Sequence, residues 1–429
     1  MILEKDQIKE IAGNLVEEDR IPENRKYDWV DIVGIPQRPE DLKRSFYFTS
    51  HSTGEGGWDY GYDRRPSAAG VARDKGWDLV IDQMENLPSA DYLKVTSLDS
   101  LAKRLYEAVR AESDPYIIGV TGSVGKTTTV AFLEHLISSS GIDAKRFYSK
   151  RLTPPGVMCH YINRVDQETP VVVMEYSAYI HDHVAKLSKL LPPNIAFLIN
   201  IYDTHINPGS FVSKNDIFQS KIKVRPGGSL GFVNNRVLAE LREPLPAGWS
   251  GFDAENGGLK NPFMPSTLRT AELFTVGRIV AEQIGLPQSK LKRAFETFEP
   301  QEKRILSCNF EGKNIFFHGE TSSGGRLWSW FETTDGSTPW LFVDEINFAD
   351  EDPAGFTDLL NKVFGSDKTV VLDTSANRER LPVNAHFVDP EKFGSMLRKA
   401  PEGYIIYHKA LATRQPGFAP EKYLEDSWG

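Results

Sequence analysis

The sequence predicts an α/β protein of three domains: a central doubly wound sheet of the P-loop ATPase type, with a smaller α/β domain at each end. Three observations predict it. At 429 residues the chain exceeds one ordinary hydrophobic core. Short continuous apolar runs alternate with helix-period patterns, the signature of buried parallel strands joined by helices. A glycine-rich turn sits between one such run and a helical pattern, where an open α/β sheet collects its ligands.

In the N-terminal part, expected to span 1–112, Ser45-Phe46-Tyr47-Phe48-Thr49 and Trp77-Asp78-Leu79-Val80-Ile81 read as strands. The Gly-, Ser- and Asp-rich connection from His51 to Pro66 is a candidate ligand loop. Ser100 to Arg110 reads as a helix capped by Ser100, and Glu112-Ser113-Asp114-Pro115 breaks the chain after it. The central domain, expected over 113–300, contains the runs Ile117-Ile118, Val171-Val172-Val173-Met174 and Ile195-Ala196-Phe197-Leu198-Ile199. Between the last two, Val184, Leu187, Leu190 and Leu191 mark one helical face that Pro192-Pro193 terminates. Pro265 to Phe298 reads as helical with a break at Gly285-Leu286-Pro287. The C-terminal domain, expected over 301–429, places apolar runs at 341–343, 370–372 and 404–407, with helices near 357–363 and 391–398.

The turn reads Gly119-Val120-Thr121-Gly122-Ser123-Val124-Gly125-Lys126-Thr127-Thr128-Thr129. Glycines let backbone amides close on phosphate oxygens, Lys126 adds a point charge, and Thr127 offers a hydroxyl to Mg²⁺. Val130, Leu133, Leu136 and Ile137 share one face of the following helix, with Gly141 as its stop. The candidate ATP contacts are therefore Gly122, Ser123, Val124, Gly125, Lys126, Thr127 and Thr128. Their spacing departs from the common P-loop, because Val120 stands where the first glycine belongs and Gly119 lies one residue earlier.

Composition narrows the partners. A formal net charge of −9 and the lack of a long basic run argue against nucleic acid. The N-terminus has no uninterrupted apolar segment and no run of about 18 apolar residues occurs, so neither export nor membrane spanning is expected. Cys159 and Cys308 lack zinc or CxxC spacing, and a reducing cytoplasm is the expected location. His181-Asp182-His183 offers no convergent third metal ligand and reads as a solvated helix start.

The form Thr-Gly-Ser-x-Gly-Lys-Thr-Thr-Thr resembles the Mur ligase and folylpolyglutamate synthase superfamily, ATP-dependent enzymes that join a carboxylate to an amine. The outline is nearer the MurF type. The resemblance implies that Glu175, after the Val171–Met174 run, and His205, in Asn200-Ile201-Tyr202-Asp203-Thr204-His205, help hold magnesium together with Thr127. It further implies that Lys221, sixteen residues after His205, is carbamylated and binds a second Mg²⁺, which requires a desolvated amine. Lys223 lies about 200° around the helix from Lys221 and cannot share that task. Thr267 and Thr270 stand where the family has adenine-contacting asparagines, and Thr270 is the retained candidate. Phe298-Glu299-Pro300-Gln301-Glu302-Lys303-Arg304 resembles the hinge before the C-terminal domain, which places Arg304 as an ATP-phosphate contact.

Two departures stand out. After Ile315-Phe316-Phe317 the sequence gives His318-Gly319-Glu320-Thr321-Ser322-Ser323-Gly324-Gly325 in place of the family's aspartate pair, read either as an altered ATP or substrate loop or as an exposed tight turn. His408-Lys409 resembles the position of a phosphate-facing Lys-Gly-Ser-Arg motif. The resemblance implies an ATP- and Mg²⁺-dependent ligase acting through an acyl phosphate on small-molecule carboxylate and amine substrates, as a monomer or homodimer. Lys126, His205 and Lys221 would be its catalytic residues. The alternatives are a P-loop ATPase or kinase that needs no amine, and a nucleotide-binding pseudo-ligase.

Overall fold

The computed structural model describes residues 3–32, 44–48, 74–82, 91–148, 152–178, 180–203, 206, 211–255, 257–300, 305–320, 322–333, 339–348, 357–382, 384–401 and 405–429. The 51–66 connection, His205 and Arg304 lie outside them. Packing divides the chain into two compact units: Met1–Ile118 with Asp143–Ser177 and His183–Asn194, and Gly119–Ile142 with Ala178–Asp182 and Ile195–Gly429. Three main sheets of mostly parallel strands carry the α/β architecture that the sequence predicts.

The N-terminal sheet runs in the order Val16–Asp19, Tyr92–Val95, Asp78–Ile81, Ser45–Phe48, Trp29–Asp31. Its first pair is antiparallel and the rest are parallel. Both strands expected in this part are present. The helix after it covers Leu98–Ala111 and its cap lies three residues earlier than expected: Ser97, not Ser100, caps it, accepting the Ser100 amide at 3.2 Å. Two serines three apart look equivalent in sequence, and Ser97 wins because its extended backbone aims the hydroxyl at that amide.

The central sheet is ordered Trp249–Phe252, Leu230–Asn234, Ile195–Leu198, Tyr116–Thr121, Val171–Glu175, Ala144–Phe147. Its strand order reverses at Tyr116–Thr121, so the loop after that strand lies at the topological switch point of a doubly wound sheet. The helix Lys126–Ser139 follows at once, with Val130, Leu133, Leu136 and Ile137 all fully buried and Gly141 in the left-handed region beyond its end. Val184 and Leu187 are buried on the helix His183–Leu190. The long helical stretch divides as expected into Leu268–Gln283 and Gln288–Thr297.

The C-terminal sheet runs Ile305–Phe310, Lys313–His318, Ile405–Lys409, Trp340–Glu345, Thr369–Leu372, Phe387–Val388. Helices cover both faces. Phe317, Phe342 and Tyr407 pack with Phe393 and Leu424 on one side, while Leu341, Val343 and Val371 pack with Leu327, Leu360 and Val363 on the other. Such double coverage is why these strands read as unbroken apolar runs. The segment read as a possible exposed turn is neither exposed nor wholly a turn. Ser322, Ser323, Gly324 and Gly325 are buried, and Ser323 caps a helix over Gly324–Phe331. No helix among the described residues is long and apolar enough to cross a membrane.

Candidate functional site

The site grows from the turn between Thr121 and Lys126, all within the second unit. Two glycines are required there for different reasons. A Cβ on Gly122 would lie 2.6 Å from Ile199 Cγ1 and 3.3 Å from the Asn200 backbone, so only glycine lets the turn pass this close to the neighbouring strand end. Gly125 has φ +76°, and a Cβ there would fall 1.8 Å from Arg269 Nε.

Beneath the turn lies a buried polar network. Asn200, just past the strand Ile195–Leu198, accepts the amides of Ser123 and Val124 on Oδ1 at 3.2 and 3.0 Å. Its Nδ2 donates to the Val124 carbonyl at 3.1 Å and to Glu272 at 2.9 Å. Asn234 donates to the other Glu272 oxygen at 3.1 Å, and Arg269 donates to Glu272 as an ion pair. The Arg269 guanidinium also donates to the Gly125 carbonyl and to Thr129 Oγ1, both at 2.8 Å. Glu272 therefore faces three donors, the set an ionised carboxylate takes. Burial pushes its carboxyl above the ordinary carboxylate range, and Arg269 and Asn200 oppose that push.

This network decides which amides can meet an anion. The Ser123 and Val124 N–H groups are committed to Asn200. Lys126, Thr127 and Thr128 open the helix, at the positive end of its dipole. Ser123 Oγ joins the Tyr202 backbone at 3.0 and 3.2 Å, and Lys126 Nζ reaches the Ser123 carbonyl at 3.3 Å. The loop is thus a rigid cradle whose floor is held by side chains distant in sequence. Sequence reading passed over Asn200, Asn234, Arg269 and Glu272 as site residues.

Beside the cradle lies a small pocket, about 50 Å³ of enclosed space. Gly125, Thr128 and Thr270 line it together with His318, Arg326 and Trp330 from the C-terminal segment. Thr270 sits at the pocket, yet its hydroxyl serves the helix cap: its one hydrogen is shared between the Pro265 and Thr267 carbonyls, each 2.8 Å away, and its oxygen accepts the Thr267 amide at 2.8 Å.

The expected metal residues fare differently. Thr127, Glu175 and Lys221 are all buried. Glu175 closes the strand Val171–Glu175 and accepts the Ser177 hydroxyl at 2.8 Å. Lys221 ends the helix Lys214–Lys221 at 2% exposure, the desolvated setting a carbamylated amine needs, whereas Lys223 is half exposed and paired with Asp182 at 2.5 Å. Among the described residues no group of three or more His, Cys, Asp or Glu could hold a metal ion. His181 pairs with Asp216 at 3.2 Å and His183 is buried. His408 turns inward instead of toward solvent, and Lys409 pairs with Asp344 at 3.3 Å, with its ammonium 5.0 Å from the Tyr423 ring centroid.

Residues 120–228 match the Mur ligase middle domain. Over 114 residues the chain is 28% identical to the UDP-N-acetylmuramoyl-tripeptide--D-alanyl-D-alanine ligase of Mycobacterium tuberculosis, which covers 25% of this chain and 20% of that one. Over 200 residues it is 33% identical to the UDP-N-acetylmuramoylalanine--D-glutamate ligase of Fervidobacterium nodosum, 45% and 44% of the two chains. The matches thus span from a fifth to under half of the length of these two curated relatives. The fold extends further. MurF from Acinetobacter baumannii superposes with a TM-score of 0.68 over 96% of this chain and 97% of its own at 14% identity. MurF ligase from Thermotoga maritima, solved in complex with ADP, gives 0.63 over 87% and 92% at 16% identity. Residues 120–228 thus resemble the Mur ligase middle domain, and the fold as a whole is similar to that of the MurF structures.

Proposed function

We propose that this protein is an ATP-dependent ligase that forms an amide between a carboxylate substrate and an amine or amino acid, through an acyl phosphate, releasing ADP and phosphate. The observation that carries this reading is the buttressed turn at 122–128, whose glycines and helix start suit the phosphates of a nucleoside triphosphate. The Mur ligase middle domain and the MurF-type fold support it, as do the activities named for the relatives. The three-part division at 112/113 and 300/301 belongs to the same reading.

A carboxylate oxygen attacks the γ-phosphorus while the bond to the β-phosphate oxygen breaks, and ADP leaves. The amine then attacks the acyl carbon, loses a proton, and phosphate departs with the bonding electrons. Two anions must approach each other in the first step, so positive charge has to be in place beforehand. Lys126 and the amides at the start of its helix supply part of it. Thr127, Glu175, His205 and a carbamate on Lys221 would hold Mg²⁺, which supplies further charge neutralisation on the phosphate oxygens. Arg304 would add a guanidinium to the phosphates.

The test is a screen of pooled acids crossed with pooled amines, read as ADP release with mass analysis of the product. ADP release beyond one equivalent per enzyme is expected only when acid and amine are both present, in one-to-one ratio with the amide. Lys126→Ala should abolish release, and Lys221→Ala should lose it and regain a part with a short-chain carboxylic acid. Sustained release over many turnovers without amine would identify an ATPase or kinase. Nucleotide binding with no release under any pairing would identify a pseudo-ligase.

A further inference from the structure

The C-terminal strands Lys313–His318 and Ile405–Lys409 lie parallel, and their register sets His318 opposite His408. The two Nδ1 atoms are 2.8 Å apart, and His408 Nε2 is 2.7 Å from Ser322 Oγ. His408 and Ser322 are fully buried, while the His318 ring lines the pocket beside the phosphate turn.

Proton accounting gives this chain a direction. Ser322 Oγ accepts the Asn347 amide at 3.0 Å and has one hydrogen of its own, which at 2.7 Å can be donated to His408 Nε2. With Nε2 accepting, neutral His408 carries its proton on Nδ1 and donates it to His318 Nδ1. His318 must then keep its proton on Nε2, at the ring edge away from His408. Adding a second proton to His318 would force His408 to the opposite tautomer and leave the buried Ser322 hydrogen without this acceptor, a costly exchange. Burial holds His408 well below the ordinary histidine value, with the Lys409 charge adding to it and a hydrogen bond to the His318 backbone opposing it. Other charged groups also surround the chain: Glu320, Arg326 and Arg269 line the pocket, and Asp344 pairs with Lys409 behind it.

We propose that Ser322 and His408 are positioning residues that lock His318 in its neutral Nε2–H form, making it a fixed hydrogen-bond donor to the nucleoside part of the nucleotide. The apolar side chains of Met264, Leu273, Ile305 and Trp330 in the same pocket suit a base or ribose better than a phosphate. The donor role rests on the nucleotide-binding reading above, whereas the tautomer lock does not.

The two parts are separated by two measurements on the full chain. Nitrogen-15 spectra of histidine-labelled protein, without nucleotide, should show His408 as Nδ1–H and His318 as neutral Nε2–H from pH 8 down to about 5.5, below the ordinary histidine pKa. In Ser322→Ala the lock is released and His318 should titrate in the ordinary histidine range. A wild-type His318 that carries its proton on Nδ1, or is cationic at neutral pH, overturns the lock whatever the ligand. Calorimetric titration with ADP should show His318→Ala binding about three- to tenfold more weakly, the worth of one hydrogen bond, and His318→Gln, which keeps a donor, within about twofold. Unchanged affinity in His318→Ala overturns the donor role. Absence of ADP binding to the wild type overturns the nucleotide reading, and with it the donor role, while the spectra still decide the lock.

Discussion

Gly125→Ala is expected to lose nucleotide binding, with affinity for ADP falling on the order of a hundredfold or more. The new Cβ would meet the Arg269 guanidinium at 1.8 to 2.1 Å, at a backbone φ of +76° that side chains rarely adopt. The backbone term alone costs about 1–2 kcal/mol. The larger cost comes from displacing Arg269, which releases the Gly125 carbonyl, Thr129 and Glu272 together. Disturbing a buried pair in this way costs about 3–5 kcal/mol. Calorimetric titration with ADP, beside a urea unfolding curve, reads both effects. Near-normal affinity in a folded variant would mean that the turn does not need its present shape.

Glu272→Gln carries the second large effect. It leaves Arg269 almost wholly buried without its counter-charge and replaces an acceptor oxygen facing the Asn200 or Asn234 amide with a donor. The expected loss of stability is about 3–5 kcal/mol. Replacing Arg269 by methionine in the same chain should restore a large part of it, because the orphaned charge is then gone. ADP binding should stay weak in the double variant, since Gly125 and Thr129 still lack their donor. The midpoint of urea unfolding reports the first effect and calorimetry the second. A single variant within about 1 kcal/mol of wild type, the span of an ordinary exposed pair, would show that the network adds little.

The fold was legible where the local pattern and the tertiary outcome agree. Val171–Met174 and Ile195–Ile199 are apolar throughout because every one of these residues is buried, and short strands of that kind announce themselves. The turn at 119–129 could be read because its function requires glycines at fixed places. The helix Gly324–Phe331 was hidden by its own start, since two glycines are poor helix formers and Ser322-Ser323-Gly324-Gly325 has turn composition. Burial against the strand layer overrides that local preference.

The floor of the site was not legible, for a different reason. Asn200, Asn234, Arg269 and Glu272 meet one another across up to 72 residues and reach the turn at Gly125 across 144, and no local spacing encodes such a meeting. One signal was available: Arg269 and Glu272 sit three apart at the start of a helix otherwise rich in apolar residues, an unusual place for two charges. His408 shows the converse error. Its neighbour Lys409 suggested a basic, phosphate-facing pair, but strand alternation sends the two side chains to opposite faces, and the histidine turns inward to Ser322 and His318.

Transfer of an oxygen isotope tests the central claim most directly. Once the screen supplies an acid and amine pair, the acid is labelled with ¹⁸O in its carboxylate and the released phosphate is weighed. Attack of that carboxylate on the γ-phosphorus predicts one ¹⁸O in the inorganic phosphate and one fewer in the amide than in the acid. Unlabelled phosphate would contradict it, because the γ-phosphoryl group would then have been transferred to water or another acceptor.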